Sequence, residues 1–192
     1  MNHMLETMER IFPNDANGHV KAQVLFDLAK SVKQGLIVEV GSSVGAGTIP
    51  LALGSLAGTG GTVVAIDINS ARGWANEEYT PDMRAMFYRN LIDADVAHQV
   101  SVVQLDQWNI ASTEIIDDVG LLFFDLGKRM DDYETGASLV MWSLLMAEDG
   151  VLAINETGNN DLGVDAFVGA ALPEWTIVDI QNRIRILRRR DG

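Results

Sequence analysis

Five short apolar runs do most to limit what this chain can fold into: LIVEV (36–40), TVVAID (62–67), VSVVQL (100–105), GLLFFDL (120–126) and GVLAIN (150–155). They are rich in β-branched residues and barely alternate between apolar and polar, so each suits a strand buried on both faces. The stretches between them read as helices. Val20, Val24, Leu28 and Val32 recur at four-residue steps, which predicts an amphipathic helix over residues 16–34 that ends at Gly35. Further helices are expected over 45–57, closed by Gly58, Gly60 and Gly61; over 81–94, opened by Pro81; from Tyr133 to Ala147, stopped at Asp149-Gly150; and over 161–171. WTIVDIQ and RIRILRR flank Asn182 and predict a closing hairpin. Buried strands alternating with helices imply an α/β fold, doubly wound around a mostly parallel sheet, with an antiparallel pair at the end.

Composition narrows the class. A chain of 192 residues with 47% hydrophobic content is expected to form one domain, 1–192, around a substantial core. No apolar run reaches the roughly 18 to 20 residues that span a bilayer. The first residues, MNHMLETMERIF, are acidic and amphipathic and lack the basic start and apolar run of a secretory signal. With no cysteine, disulfides, thiolate metal sites and thiol nucleophiles are excluded, which suits a cytoplasmic protein. A net charge of −13 weighs against nucleic acid as a partner. Arg183, Arg185, Arg188, Arg189 and Arg190 form the one basic cluster and read as a solvated strand end and tail. Met4 and Met8 stand at helical spacing and read as packing residues; the alternative makes the segment 1–34 a lid or a homodimer contact.

In parallel sheets, ligands sit beyond the carboxyl ends of the strands. Polar residues fall there in every case: Gly41 to Gly47, then Asp67 and Asn69, Asp106 and Gln107, Asp125 and Lys128, and Asn155 and Glu156. Gly41, Gly45 and Gly47 crowd into seven positions, which lets a loop turn tightly and a ligand reach backbone N–H groups. Asp67 can accept hydrogen bonds from ribose hydroxyls. Together they point to a nucleoside-containing cofactor. The spacing is G-x-x-x-G-x-G, not the G-x-G-x-x-G of dinucleotide binders. Short-chain dehydrogenases share that spacing but also carry a catalytic Tyr-x-x-x-Lys. Here Tyr79, Tyr88 and Tyr133 are followed four residues on by Met83, Ile92 and Ala137.

VEVGSSVGAGT (38–48) resembles motif I of the class I S-adenosylmethionine-dependent methyltransferases, with Glu39 in the place of the acid two residues before the first glycine. VVAIDIN resembles the ribose-binding strand end of that family, and the likeness runs from about residue 20 to the final hairpin. It implies a Rossmann-like fold and an S-adenosylmethionine site built from Glu39, Gly41, Ser42, Ser43, Gly45, Asp67, Asp106, Gln107 and Asp125. Trp108 is a candidate to cover the adenine, and Trp74 a candidate for the acceptor pocket; each reads equally well as packing. Trp142 reads as core.

FFDLGKRMDDYE and GVLAINETG resemble, more narrowly, the catechol and caffeoyl-coenzyme A O-methyltransferases and the related antibiotic-sugar O-methyltransferases. In the catechol-type group, strand 4 ends in Asp-x-x-Lys, the Asp binding a divalent metal and the Lys acting as general base. Asp125 and Lys128 match. Strand 5 there ends in Asp-Asn; this chain has Asn155-Glu156. The resemblance thus implies Mg2+ held by Asp125, Asn155 and Glu156, all oxygen donors. Asp131 and Asp132 are alternative ligands or a helix cap ahead of Tyr133. The expected reaction is methyl transfer to a small-molecule hydroxyl, catechol-like or a sugar diol. A metal-independent methyltransferase, a non-catalytic S-adenosylmethionine-binding domain and an NAD(P)-dependent oxidoreductase stay open as alternatives.

Overall fold

A computed structural model describes residues 3–13, 15–67, 81–104, 116, 118–125, 132–155, 169 and 174–190. Five strands fall where the apolar runs predict them: β1 (Leu36–Val40), β2 (Val63–Asp67), β3 (Val100–Gln104), β4 (Val119–Phe124) and β5 (Met146–Asn155). β6 (Trp175–Gln181) and β7 (Ile184–Arg189) form the closing hairpin. The helices are α1 (His3–Ile11), α2 (Ala16–Ser31), α3 (Thr48–Ala57), α4 (Pro81–Asp93) and α5 (Asp132–Ser143). The expected helix over 161–171 lies outside the described residues, apart from Gly169. Among the described residues, no helix is long and apolar enough to cross a membrane.

One seven-stranded sheet runs in the order β3-β2-β1-β4-β5-β7-β6, parallel except for β7, which is antiparallel to both its neighbours. Strand residues alternate between two cores. Ile37, Leu121, Phe123, Val151 and Ile186 pack against α1 to α4, whereas Val38, Phe124, Leu152, Ile154 and Leu187 pack with Leu139 and Trp142 of α5 and with Trp175. This two-sided burial is why the runs lack polar alternation.

The helices of the first face are tightly fitted. A Cβ on Gly54 of α3 would lie 2.3 Å from the Phe26 carbonyl oxygen and 3.0 Å from the Ala29 Cβ of α2. Gly54→Ala must therefore spread two helices at half-buried Phe26 and buried Ala29, and is expected to destabilise the fold by about 1–3 kcal/mol in urea titrations. Met4 and Met8 are packed into the same core, and Arg10 of α1 donates to the Asp93 carbonyl at 2.7 Å.

Several expectations change. The helix of residues 16–34 stops at Ser31, because Val32 is already extended. Of its expected stripe, Val24 and Val32 are buried and Leu28 is half-buried against the core, but Val20 is 48% exposed, and Ala22, Leu25 and Ala29 join the buried side. The helix of residues 45–57 begins only at Thr48. The helix expected from Tyr133 to Ala147 ends at Ser143, and β5 starts at Met146 rather than at Gly150. Leu144 to Ala147 favour helix locally, but the edge of β4 pairs with them first: Met146 stands opposite Val119, and the register then slips so that Val151 faces Leu121. Exposed Glu148 and Asp149 fill the bulge.

The arginine cluster is also not uniformly solvated. Arg183, Arg188 and Arg190 are exposed, but Arg185 is only 6% exposed, and burial lowers its pKa from the usual value. The Arg189 guanidinium lies 5.5 Å above the Trp175 ring and donates to the Ser143 carbonyl at 3.3 Å. Between β6 and β7, Asn182 and Arg183 both have positive φ, 49° and 67°, as a type I′ turn requires. Arg183→Gly is expected to raise the unfolding free energy by up to about 1 kcal/mol, read as a higher urea midpoint, since glycine carries no Cβ penalty there.

Candidate functional site

The strand order reverses beside β1: β2 lies on one side and β4 on the other, so a crevice opens at their carboxyl ends. Val40 pairs with both Ile66 and Phe124. Asp67 and Asp125 therefore end up on the same edge of the sheet, two strand spacings or about 10 Å apart along it, with the glycine loop between them. Asn155, the last residue of β5, stands one strand beyond Asp125.

The loop is held from several directions. The Gly41 N–H donates to the Ile66 carbonyl at 2.9 Å, tying the loop to β2. Gly41, Ser43 and Gly45 have φ of 97°, 45° and 93°, so the chain turns through three left-handed residues at alternate positions. Two of the three are glycine, which adopts this region without a Cβ clash. Asn90 of α4 donates to the Val44 carbonyl at 2.8 Å, and Phe87 of α4 lies beneath Gly45. Ser42 is buried and Ser43 half-buried.

Glu39 lies below this loop, 1% exposed. Its Oε2 accepts from the Thr48 hydroxyl in the first turn of α3. Its Oε1 lies against Gly47, close enough that a Cβ there would be 2.2 Å away. Both carboxylate oxygens thus face protein, and the described role of Glu39 is to fasten the loop to the amino end of α3.

On the other side of the crevice, a polar chain crosses two strand ends. The Asp125 N–H donates to the Val40 carbonyl at 2.8 Å, which fixes the residue beside β1. The Asn155 amide nitrogen donates to Asp125 Oδ1 at 2.8 Å, and Lys21 Nζ of α2 donates to Asn155 Oδ1 at 2.7 Å. These partners set the orientation of the amide. An ammonium can only donate and must face the amide oxygen, whereas a carboxylate must face the nitrogen.

Of the residues expected at the site, Glu39, Gly41, Ser42, Ser43, Gly45, Asp125 and Asn155 are gathered at this edge, and the backbone of Asp67 is there too. Asp106, Gln107, Lys128 and Glu156 lie outside the described residues, as do Trp74, Trp108 and Asp131. α5 begins at Asp132. Lys21, Thr48 and Asn90 were not anticipated. Lys21 did leave a signal: it stands four residues before Leu25 and seven before Leu28, at the amino end of the buried stripe of α2. Thr48 and Asn90 left none, because their partners are set by tertiary packing. Among the described residues, no group of three His, Asp or Glu side chains could hold a metal ion.

No family model and no curated protein sequence matches the chain, so the likeness to known proteins is structural. An O-methyltransferase from Bacillus cereus in complex with S-adenosylhomocysteine is 19% identical, with a TM-score of 0.66 over 95% of this chain and 89% of that one. The O-methyltransferase TomG of Streptomyces achromogenes, involved in tomaymycin synthesis and solved with S-adenosylmethionine, is 15% identical, with a TM-score of 0.66 over 100% and 91%. A candidate rRNA methylase from Clostridium thermocellum is 18% identical, with a TM-score of 0.64 over 89% and 97%. The chain thus shares with these methyltransferases a Rossmann-like α/β fold, its own sheet having one antiparallel strand, β7, between β5 and β6.

Proposed function

We propose that the chain is an S-adenosylmethionine-dependent O-methyltransferase acting on a small-molecule hydroxyl, catechol-like or part of a sugar diol. One observation carries the reading. The left-handed glycine loop, Asp67, Asp125 and Asn155 line the carboxyl ends of four adjacent strands, β2, β1, β4 and β5, at the reversal of strand order. Two neighbours in fold bind this nucleoside, as its methyl donor or as the demethylated product. In this reading the glycine loop receives the cofactor, Asp67 accepts from the ribose, and Asp106 and Gln107 contact the adenine. The acceptor is held near Asp125 and Asn155. The acceptor oxygen attacks the methyl carbon as the C–S bond breaks. The bonding pair stays on sulfur, leaving neutral S-adenosylhomocysteine. The hydroxyl proton passes to a base, the role the resemblance assigns to Lys128. Holding the oxygen in line with the S–CH3 bond supplies much of the rate.

The fold also serves a candidate rRNA methylase, but a net charge of −13 and an isoelectric point near 4.4 oppose binding to a phosphate backbone. A small acceptor is therefore part of the proposal, together with a cytoplasmic setting, which a chain without cysteine suits.

The Mg2+ of the resemblance would need Asp125, Asn155 and Glu156. The two described donors do not fit it as they stand. Asn155 Oδ1 already accepts from the Lys21 ammonium, and its amide nitrogen faces Asp125. A divalent ion on that oxygen would lie about 4 Å from the ammonium, where the repulsion is on the order of 8 kcal/mol at an effective dielectric near 20.

Calorimetry with S-adenosylhomocysteine and with NAD(P)H tests the reading, followed by a labelled-methyl screen of catechols and sugar diols. Binding of S-adenosylhomocysteine alone, with transfer to a diol, is expected. Binding of NAD(P)H would favour an oxidoreductase. Cofactor binding with no transfer to any acceptor would favour a non-catalytic domain.

A further inference from the structure

We infer that Lys21 is the resident cation of this site, its ammonium holding the place that the catechol-type relatives give to a divalent metal. Three observations carry this. The ammonium lies 2.7 Å from Asn155 Oδ1, the very atom that would ligate a metal. The Asn155 amide then passes the arrangement on by donating to Asp125 Oδ1 at 2.8 Å, so both strand-end residues are oriented by a protein cation. Lys21 is delivered from a fixed helix and not a loop: α2 is anchored through buried Ala22, Leu25 and Ala29, the last packed against Gly54 of α3.

The chemistry follows from the donors. A metal would use the amide oxygen and the carboxylate as two ligands of one ion. Here the oxygen has an ammonium partner and the carboxylate has an amide partner. The cluster is thus a hydrogen-bonded relay, Lys21 to Asn155 to Asp125, with a cation at one end and a carboxylate at the other. Its role is positional: it fixes the Asp125 carboxylate at the crevice without a metal. The acceptor side of this inference rests on the methyltransferase reading, whereas the exclusion of divalent metal does not.

The test is Mn2+ binding to the full chain, read from its electron paramagnetic resonance signal. Wild-type protein is expected to show no saturable site below millimolar Mn2+. Lys21→Met removes the positive charge but keeps the stem, and is expected to gain a site at least ten-fold tighter. The gain should vanish in Lys21→Met/Asp125→Asn. Lys21→Arg keeps a cation and should exclude Mn2+ as the wild type does. Should Lys21→Met fail to fold, Lys21→Gln takes its place. A tight Mn2+ site in wild-type protein that is lost on Asp125→Asn would overturn the inference. So would neutral Lys21 variants that fold yet bind Mn2+ no better than wild type. S-adenosylhomocysteine titrations on the same samples test the methyltransferase reading independently, so failure of one is separable from failure of the other.

Discussion

Gly47→Ala is expected to cut S-adenosylhomocysteine affinity by at least about 100-fold, of the size a misplaced binding group costs, and to lower stability by about 2–4 kcal/mol. Gly47 has φ of −89°, which alanine adopts readily, so backbone strain does not contribute. The cause is space. The new Cβ would lie 2.2 Å from Glu39 Oε1 and 3.0 Å from Phe123 Cε1. Phe123 is buried in β4, between β1 and β5. Glu39 is buried and bonded to Thr48, so it can only swing by breaking that bond. Otherwise the first turn of α3 lifts, taking Gly45 and the loop with it. Either way the loop loses the shape that receives the cofactor. Gly61→Ala is the control: its φ is not positive and its nearest atoms would be 3.7 Å away, an ordinary contact. It should leave both affinity and urea midpoint nearly unchanged. Equal loss in both variants would show that the chain tolerates no added methyl at all, and would remove the special role of the Glu39–Gly47 contact.

The sheet was readable because burial on both faces writes itself as continuous β-branched runs. β1 matches its run residue for residue, and β2, β3 and β4 differ from theirs only at the ends. Boundaries failed where tertiary pairing overrode local preference. Leu144 to Ala147 would extend a helix in isolation, but Met146 is drawn opposite Val119. The same cause altered one end of the α2 stripe, where Val24 and Val32 are buried as expected but Val20 is not. Four-residue steps select Val20 as readily as Lys21, and only the docked helix shows that Lys21 turns inward, toward Asn155, while Val20 faces out. The site divides in the same way. Strand-end residues such as Gly41, Asp125 and Asn155 are placed by the sheet itself, so counting along the sequence finds them. Contacts that join distant segments are another matter. Lys21 and Asn155 are 134 positions apart, and the place of Lys21 along the α2 stripe does not say which residue it meets. Glu39 illustrates the middle case: its position beside the loop was legible, but its tie to Thr48 was not.

Asp125→Ala is expected to reduce turnover by about 100- to 1,000-fold, the cost of losing a positioned polar group at a reacting centre, with S-adenosylhomocysteine affinity kept within a few-fold. The separation follows from where its contacts run. The backbone N–H that fixes it to Val40 survives in alanine, so β4 stays in register with β1. The cofactor loop keeps its own ties to Ile66, Asn90 and Thr48 through Glu39, none of which involves the Asp125 side chain. Among what disappears is the acceptor of the Asn155 amide. Asn155 then has Lys21 on one side and no fixed carboxylate on the other, and an acceptor hydroxyl held there loses its alignment. The half-buried amide donor left behind costs about 1 kcal/mol of stability, too little to unfold a domain of this size. Single-turnover methyl transfer, measured beside calorimetry, distinguishes the outcomes. Slow transfer at full cofactor occupancy places Asp125 with the acceptor. Loss of S-adenosylhomocysteine binding by more than about ten-fold, or 1.4 kcal/mol, would instead make Asp125 a cofactor contact, leaving the relay from Lys21 to end on the bound nucleoside.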